Sequence, residues 1–492
     1  MRIKLLFFTA VICGIGGALF KYRDHPYASF FSNHPPRLKL LVKQKAGSIE
    51  DPKEVLAGID GAELSVIADD DGIGLDEVIV RLNDGSREQE FAKKRYESFG
   101  TRHDAMPLSL TGKTIGSKPR NAILRITAFN KSFWSQKSEI QLNLTFDFDR
   151  PRLEVLTVQH NGTVGGALMT LFRVLSNDTQ TVGVKWPQGE YPAFPAAGLD
   201  PALAAFPGLY AAIYPIPIGF DVKKDSLKAF ARDTADNEGG VVFYQHVAPR
   251  SFKSADMKMG RPFFEAKVSE LLPKYAEISK KDVELPADVT TLPDEELARL
   301  FRLVNEDYRA LLGEQLRTIL KETDSRKLWN GTFIKPMPAA PTASFGEHRH
   351  YLVNSADAGN SIHMGIDLAQ SAQTPVRSSN DGVVLFADDL GIYGNTVVID
   401  HGLGIATLYG HLSSFSVAKG DQVRKEQELG RTGATGLAGG DHLHFEVRIH
   451  GEPVFPIEWL DAHWVGDHID DQVHFAVKQL NQAAAQAAAL KN

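Results

Sequence analysis

The chain has 492 residues, of which 43% are hydrophobic and 23% are charged, and its formal net charge is -7 at pH 7. This length predicts three or four units rather than one domain, and the composition is that of a globular protein. The negative charge excludes the basic footprint of a nucleic-acid-binding protein. The single cysteine, Cys13, excludes an internal disulfide framework and a cysteine-rich metal site.

The N-terminus has the pattern of an export signal. Arg2 and Lys4 precede an apolar run from Leu5 to Phe20, which is a positive region followed by a hydrophobic core. The run is near the lower length limit for a membrane span. We therefore predict that residues 1–25 are a signal peptide or a retained membrane anchor, with the rest of the chain outside the cytoplasm.

Two sequence echoes predict a tandem repeat. Pro36–Leu41 returns as Pro151–Leu156, and Ile123–Asn130 returns as Ser226–Asp233. Echoes at a fixed period are the signature of repeated units. They predict one module over residues 36–150 and a second over 151–260.

Both modules are expected to be all-β. From Ile140 to Phe148 apolar and polar residues alternate, which is typical of a half-buried strand. Short strands separated by Asn and Gly turns suggest β-sandwiches, and the modules resemble bacterial Ig-like domains.

Residues 261–328 change to a helical pattern. Thr291-Leu292-Pro293-Asp294 has the sequence of a helix start. Apolar residues then recur at helical spacing: Leu297, Leu300, Phe301, Val304, Tyr308, Leu311 and Leu312. We predict a helical linker that packs on a neighbouring domain, and a second helix, without chemistry of its own, in the C-terminal tail over 466–492.

The candidate metal-binding and catalytic residues lie between His363 and Glu446. His442 and His444 are two residues apart in a run that predicts a strand, so both imidazoles share a face. His363 and Asp367 flank Gly365 with the same spacing of two, and the glycine would let a metal ion or substrate approach. Two histidines and a carboxylate are a common ligand set for catalytic zinc.

Several motifs of this region occur together in a fixed order. They are His363-Met-Gly-Ile-Asp367, Thr374-Pro-Val376, Asp381-Gly-Val-Val384, Gly394-Asn-Thr-Val-Val-Ile-Asp-His-Gly402, Tyr409-Gly-His-Leu412, Gly433-Ala-Thr-Gly436 and His442-Leu-His-Phe-Glu446. At these residues the sequence resembles the M23 (lysostaphin/LytM-type) zinc metallopeptidases, which cleave peptide cross-links in bacterial cell walls. The resemblance covers about residues 329–462.

The resemblance implies an antiparallel β peptidase domain over residues 329–465 with one Zn²⁺ per chain. It implies His363, Asp367 and His444 as metal ligands, and His442 and His411 as catalytic histidines. We predict His442 as the general base and His411 as the group that stabilises the tetrahedral intermediate and protonates the leaving amine, although the two roles could be reversed.

Other residues near these motifs allow more than one interpretation. Tyr409 stands two residues before His411, so on a strand it would face the same side and either bind substrate or pack. His401 is expected to be structural. His348-Arg349-His350 is expected to line the groove wall rather than bind metal, because Arg349 would place a cation beside the ion.

Two functions follow from the resemblance. The first is a zinc endopeptidase acting on peptidoglycan in the periplasm or cell envelope. The second is a catalytically silent regulator of cell-wall amidases built on the same fold; family members of that kind have lost zinc ligands, whereas all three positions are intact here. The β modules would serve as wall-binding arms or as scaffold, and the helical linker could cover the active-site groove.

Overall fold

A computed structural model describes residue 30 and residues 33–44, 47–115 and 120–490. The predicted export signal at residues 1–25 lies outside these residues. Among the described helices, none is long and apolar enough to cross a membrane. The chain forms two compact units: the first holds the described residues up to Pro151 with Asp178–Gln180 and Arg232–Glu238, and the second holds the remainder.

The first unit has two antiparallel-rich sheets around one core. Its strands are β1 Arg37–Gln44, β2 Gly47–Glu50, β3 Glu54–Ala57, β4 Ala62–Asp69, β5 Leu75–Asn83, β6 Glu88–Arg95, β7 His103–Leu110, β8 Asn121–Asn130 and β9 Lys137–Phe146, with a short helix α1 at Gly112–Ile115. The sheet orders are β2-β1-β4-β7 and β3-β9-β8-β5-β6. Alternating side chains of both sheets meet in a shared hydrophobic cluster, as the period-2 pattern predicts.

The next hundred residues are also built from short strands. They are β10 Leu153–Val155, β11 Asn161–Thr163, β12 Ala167–Val174, β13 Thr179–Trp186, β14 Gly189–Pro192, β15 Phe194–Pro195, β16 Leu209–Pro215, β17 Lys228–Asp233, β18 Glu238–Val242, β19 His246–Ala248 and β20 Ser254–Met257. Two four-stranded sheets, β10-β12-β16-β15 and β14-β13-β17-β18, account for most of them. The expectation of a mainly β chain is therefore confirmed.

A helical segment follows, as its periodicity predicts. It comprises α2 Arg261–Ser279, α3 Asp294–Arg302, a π-helical turn Leu303–Tyr308 and α4 Arg309–Ile319. Helix α3 begins at Asp294 with Pro293 at the N-cap, so Thr291 does not form the predicted capping box. The Asp294 carboxylate instead accepts hydrogen bonds from Arg261 and Asn354.

These helices share a core with the strands that follow them. Phe264 of α2 and Phe301 of α3 are fully buried and pack edge-to-face, with ring centroids 4.8 Å apart. Phe301 also contacts Tyr351, at 5.3 Å between centroids, and the same cluster includes Leu408. The helical segment is thus packed as part of the C-terminal fold, which the predicted amphipathic pattern requires.

The C-terminal domain is built on one large antiparallel sheet. Its strands are β21 Pro341–Ala343, β22 His348–Val353, β23 Ala356–Ile362, β24 Ile366–Leu368, β25 Pro375–Arg377, β26 Gly382–Asp389, β27 Asn395–Gly402, β28 Ile405–Phe415, β29 Gln422–Val423, β30 Glu428–Thr432, β31 Leu443–Ile449 and β32 Glu452–Val454. The main path runs β21-β24-β31-β28-β27-β26-β29, while β20, β22 and β23 form a separate three-stranded sheet.

Helices close the chain. They are α5 Pro456–Leu460, α6 Ala462–Val465, a π-helical turn Gly466–Asp470 and α7 Asp471–Ala489. The helix predicted in the C-terminal tail is therefore present. Ala476 and Leu480 of α7 are buried in the core that contains Trp459, so this helix packs on the domain rather than projecting from it.

Candidate active site

Three predicted ligand residues meet at one point of the large sheet. His363 Nε2 lies 2.9 Å from Asp367 Oδ1, and His444 Nδ1 lies 3.0 Å from the same oxygen. The two imidazole nitrogens are 3.0 Å apart. The three residues are buried, with 5%, 8% and 6% of their surface exposed, so three donor atoms converge at one sheltered point.

Strand register explains this convergence. Strand β24 pairs antiparallel with β31 so that Asp367 stands opposite His444. Strand β28 pairs with the other edge of β31 and places Gly410 opposite His444. Because paired residues on adjacent strands project to the same face, Asp367 and His444 meet.

Gly365 has a different role from the one predicted. A Cβ atom there would come within 2.4 Å of the Phe445 carbonyl oxygen and 3.0 Å of His444 Cε1. The glycine therefore allows the chain before β24 to pass close to β31, rather than admitting a metal ion or substrate. The His363–Gly365 segment is also not strand, since β24 begins at Ile366.

The outer nitrogens of the two imidazoles are fixed by acceptors. His363 Nδ1 donates to the Ser344 carbonyl oxygen at 2.9 Å, and His444 Nε2 donates to Glu446 Oε1 at 2.8 Å. A carbonyl oxygen can only accept, which assigns the inner nitrogen of His363 as the lone-pair donor. Partners of this kind orient metal-binding histidines in other proteins.

Glu446 carries its charge deep inside the domain. It is fully buried, and its second oxygen accepts from Arg448 Nε at 2.5 Å. Burial alone would raise the pKa of Glu446, but Arg448 and His444 outweigh it and lower that pKa to about 2. Burial would likewise lower the pKa of His444, but Asp367 and Glu446 raise it to about 9.

Arg349 completes the surroundings of Asp367. Its Nη2 donates to Asp367 Oδ2 at 3.2 Å, and its Nε donates to Glu347 Oε1 at 2.9 Å. Burial would raise the pKa of Asp367, but the adjacent His363 and His444 imidazoles hold it well below its usual range. The carboxylate is therefore ionised, with Oδ1 toward the histidines and Oδ2 toward Arg349.

Two further histidines stand beside this cluster. His411 Nδ1 donates to the Thr435 carbonyl oxygen at 2.8 Å, and His442 Nδ1 donates to the Gly440 carbonyl oxygen at 2.8 Å. Their ring centroids are 4.8 Å apart, and His442 Nε2 lies 3.7 Å from Asp367 Oδ1. Each ring thus keeps Nε2 for proton exchange. Burial, reinforced by His442, lowers the pKa of His411 well below its usual value.

The backbone at His411 departs from a regular strand. Its φ is +63°, which is uncommon for a residue other than glycine. The register between β27 and β28 shifts between the Asn395–Leu412 and Val397–Tyr409 pairs. This irregularity brings the His411 side chain to the cleft, while Tyr409 keeps its regular register with Phe445, so the two side chains do not share a face.

Of the two interpretations of Tyr409, packing agrees with its position in the core and substrate binding does not. Tyr409 is fully buried, and its hydroxyl accepts from the Ser379 backbone N–H at 2.8 Å and from Thr407 Oγ1 at 2.9 Å. Its ring packs against Phe445, with centroids 5.4 Å apart. Tyr409 belongs to the core, and substrate does not reach it.

Two other sequence motifs contain histidines outside the cluster. His401 is buried, with Nδ1 on the Asp381 carbonyl oxygen and Nε2 on Thr407, and burial lowers its pKa to about 4. His350 is 3.1 Å from Asp256 and does not line the cleft, so of His348-Arg349-His350 only Arg349 is in the predicted groove wall. Arg349 contacts the predicted ligand Asp367, although its charge was the argument against a metal role for this motif.

The cluster opens into a cleft of about 490 Å³. The cleft contains His363, Asp367, His411, His442 and His444. Its walls are lined by residues that precede the large sheet and by residues between its strands, among them Met257, Met259, Phe263, Arg309, Glu347, Arg349, Tyr393 and Leu437. A substrate chain in this cleft would therefore contact the helical segment as well as the sheet.

Helix α2 contacts the loop that orients His411. Lys267 Nζ donates to the Gly436 carbonyl oxygen at 2.5 Å, and Glu270 Oε1 accepts from the Gly436 N–H at 3.2 Å. Lys267 and Glu270 pair with each other at 3.1 Å. We name Lys267 and Glu270 the Gly436 clip. It holds the loop whose Thr435 carbonyl orients His411, a long-range contact that no local pattern signals.

The donor set is chemically suited to zinc. Imidazole nitrogen and carboxylate oxygen are typical zinc ligands, and three protein ligands with a free position are typical of a catalytic site. The three donor atoms lie within 4.8 Å of one another. Their outer atoms are all engaged by Ser344, Glu446 or Arg349, so the inward atoms are the ones left for an ion.

The fold and this site define a metallopeptidase-like β domain, and comparison with known proteins identifies it. Residues 361–456 match Peptidase family M23. This part of the chain is therefore an M23 peptidase domain, which confirms the resemblance drawn from the motifs.

Three similar proteins show how far the likeness extends. The DD-carboxypeptidase/endopeptidase Mpg of Neisseria meningitidis serogroup B is 44% identical over 128 residues, 26% of this chain and 29% of its own. The peptidoglycan DD-endopeptidase ShyA of Vibrio cholerae is 45% identical over 92 residues, 19% of this chain and 21% of its own. The murein hydrolase activator EnvC of Escherichia coli is 41% identical over 96 residues, 20% of this chain and 23% of its own. The chain thus spans less than a third of the length of these relatives.

Proposed function

We propose that the chain is a zinc-dependent endopeptidase that hydrolyses peptide cross-links of bacterial peptidoglycan. The observation that carries the proposal is the convergence of His363, Asp367 and His444, with His411 and His442 beside them in an open cleft. Two similar proteins are named as peptidases of this kind. Peptidoglycan is the substrate that these names suggest.

In this proposal His363 Nε2, Asp367 Oδ1 and His444 Nδ1 hold one Zn²⁺. When bound, zinc supplies Lewis-acid activation of a water molecule and of the scissile carbonyl. Ser344 and Glu446 keep the two imidazoles in the required tautomers. Arg349 holds the second oxygen of Asp367, so that the first remains directed at the histidines.

We assign proton transfer to the two remaining histidines. His442 accepts the proton of the attacking water at Nε2, which lies 3.7 Å from Asp367 Oδ1 and so beside the cluster. His411 is neutral before reaction, because burial disfavours its cation. Negative charge developing on the substrate offsets that cost, so the proton taken from water by His442 can pass to Nε2 of His411, whose ring centroid is 4.8 Å away, and from there to the leaving amine.

A regulator of cell-wall amidases is the second candidate. The observation in its favour is the similarity to EnvC, which is named as an activator rather than a hydrolase. The intact set of three ligand positions and two histidines supports the enzyme instead. A regulator would not need a charged Glu446–Arg448 pair, costly to bury, to hold the orientation of His444.

Metal analysis and digestion of purified cell wall separate the two candidates. The enzyme should bind about one zinc per chain, release defined peptide fragments seen by mass spectrometry, and lose this activity to a chelator. Asp367→Ala serves as the control, because it removes the ligand shared by both histidines. Zinc-loaded protein that releases no fragments but stimulates an amidase would overturn the enzyme and support the regulator.

We also propose a location for the protein and a role for each of its other segments. We propose an exported protein of the periplasm or cell envelope, with residues 1–25 as signal peptide or inner-membrane anchor. Modules 36–150 and 151–260 would be Ig-like sandwiches that act as spacer or wall-binding arm. Residues 261–328 would form the helical linker, 329–465 the peptidase domain, and 466–492 the C-terminal helical tail.

A further inference from the structure

The cleft contains two arginines in different electrostatic states. Arg349 is neutralised by Glu347 and Asp367, at 2.9 and 3.2 Å. Arg309 lines the same cleft, but in the part of the chain that the structure describes no carboxylate oxygen lies within 4.0 Å of its guanidinium. An unpaired cation in a partly enclosed cleft is costly unless an anion joins it.

Arg309 is held in place by Asn305. Its Nε donates to the Asn305 backbone oxygen at 2.9 Å, and its Nη2 donates to the Asn305 side-chain oxygen at 3.0 Å. Asn305 is itself fully buried and donates to the Asn360 carbonyl oxygen at 3.0 Å. Two of the five guanidinium N–H groups are thus used for orientation, and three remain for another acceptor.

The helix is interrupted directly before Arg309. The π-helical turn Leu303–Tyr308 separates α3 from α4, and Arg309 is the first residue of α4. A π-turn rotates the residues that follow it relative to a continuous α-helix, and such turns are frequent at functional sites. Here the π-helical turn sets the direction in which the Arg309 side chain leaves the helix.

Tyr393 connects Arg309 to the cluster. The Tyr393 ring lies 5.7 Å from that of His444, between centroids, and its phenol interacts electrostatically with Arg309. Tyr393 also accepts a hydrogen bond from Arg448 Nη2 at 3.2 Å. Arg309 and His444 therefore line the same cleft and share Tyr393 as a neighbour.

We propose that Arg309 binds a free carboxylate that the substrate carries next to the scissile amide. The inference rests on the proposed peptidase function and deepens it by naming the substrate class. A cross-link from D-alanine to diaminopimelate has such a carboxylate beside the amide, whereas a glycine bridge has none within the bridge. The remaining guanidinium N–H groups of Arg309 select the anionic cross-link, because two parallel N–H···O bonds match the geometry of a carboxylate.

The test compares two synthetic peptides that differ in one group. One carries the diaminopimelate carboxylate next to the scissile amide, and the other carries a carboxamide there. For the zinc-loaded full chain we expect kcat/KM to fall about 10- to 100-fold on amidation, from loss of a charge-assisted hydrogen bond. Arg309→Met should cleave both peptides at the lower rate.

A matched arginine on the same helical segment provides the control. Arg302 belongs to α3 and pairs with Asp357 at 3.3 Å, outside the cleft. Arg302→Met should keep the full discrimination between the two peptides. If wild type cleaves both equally well, or if Arg309→Met still discriminates, the proposal is wrong.

A binding measurement distinguishes failure of the Arg309 proposal from failure of the proposed peptidase function. If wild type cleaves neither peptide, the peptidase function fails. Calorimetry with the zinc-loaded His442→Ala protein still tests Arg309, because it measures affinity without hydrolysis. Tighter binding of the carboxylate peptide, removed by adding Arg309→Met, would support the anion site, and equal binding of both peptides would overturn it.

Discussion

The histidines of the cleft are controlled by what their outer nitrogens touch. Backbone carbonyls hold Nδ1 of His363, His411 and His442, while the Glu446 carboxylate holds Nε2 of His444. Each acceptor fixes both a tautomer and a ring direction. The residue identities in the motifs therefore determine the chemistry only together with these partners.

Removing the His411 imidazole should separate catalysis from metal binding. We expect His411→Ala to lower kcat about 10²- to 10⁴-fold, the usual contribution of an acid–base group, while zinc content stays near one per chain. Steady-state kinetics and metal analysis on the same sample measure this. His463→Ala, a change at an exposed histidine, should leave both values unchanged, and full turnover in His411→Ala would contradict its role.

Neutralising Glu446 should weaken metal binding without removing a ligand. Glu446→Gln keeps the size but loses the charge that accepts from His444 and pairs with Arg448. Loss of such a partner typically costs 10- to 100-fold in metal affinity, which competition with a chromophoric chelator measures. Glu426→Gln, at an exposed carboxylate, is the matched control, and equal affinity in both variants would rule out the supporting role.

At the scale of elements, helix α2 belongs functionally to the catalytic centre although it precedes the matched M23 residues. The Gly436 clip binds both backbone groups of one glycine. Gly436 has a φ of +68°, and a Cβ there would come within 2.4 Å of the Gly394 nitrogen, so the loop has little room to move. The clip and this crowding together fix the carbonyl of Thr435.

Breaking the clip should lower turnover more than substrate affinity. Lys267→Met keeps the aliphatic stem but cannot donate to Gly436, so we expect kcat to fall roughly 10- to 100-fold through misplacement of His411. KM should stay near its wild-type value, and Lys267→Arg should restore kcat because arginine can donate to the same carbonyl.

A second lysine on the same helix tests whether the effect is specific. Lys274 pairs with Asp389 at 2.9 Å on the surface. Lys274→Met should leave kcat unchanged. Equal kcat in the Lys267 and Lys274 variants, at equal thermal stability, would show that the clip does not position His411.

At the scale of the whole molecule, histidines shielded from solvent couple stability to pH. His401 is buried and His450 is half-buried, and loss of solvent around each ring lowers its pKa to about 4. In the unfolded chain each would titrate near 6.5. Between pH 6 and 4 the unfolded chain binds protons that the folded chain excludes, so these histidines stabilise the fold above that range and lose this contribution as pH falls.

His450→Gln isolates one of these protons. We expect the free energy of unfolding of the chelator-treated wild type to fall, relative to this variant, by about 1.4 kcal/mol per pH unit between pH 6 and 4. Urea denaturation at several pH values measures the difference. His463→Gln should show the wild-type dependence, and parallel curves for wild type and His450→Gln would contradict the assignment.

The motifs predict much of the site because their geometry is local. Period-2 spacing predicts that His442 and His444 share a face, and both line the cleft, although β31 begins at Leu443 and His442 stands just before it. Helical spacing likewise predicts the buried face of α3. Both patterns hold because backbone periodicity is set within a few residues.

Local patterns fail where the backbone is irregular. Tyr409 keeps its regular register with Phe445 and faces the core, whereas the register shift after Tyr409 and the positive φ of His411 bring the His411 side chain to the cleft, and strand periodicity predicts neither. Gly365 looked like an opening for ligand but is the point where β31 passes closest. Irregularities of this kind are set by neighbouring strands, so the pattern of a single strand does not show them.

The sequence by itself determined the donor types, their order along the chain and the β character of the domain that carries them. Only the tertiary structure decided which nitrogen of each histidine faces inward, that Arg349 reaches Asp367, and that α2 and Arg309 complete the cleft. The physical reason is distance along the chain. Side-chain chemistry and periodicity are local properties, whereas contacts such as Lys267 with Gly436 join residues 169 positions apart and exist only once the chain is packed.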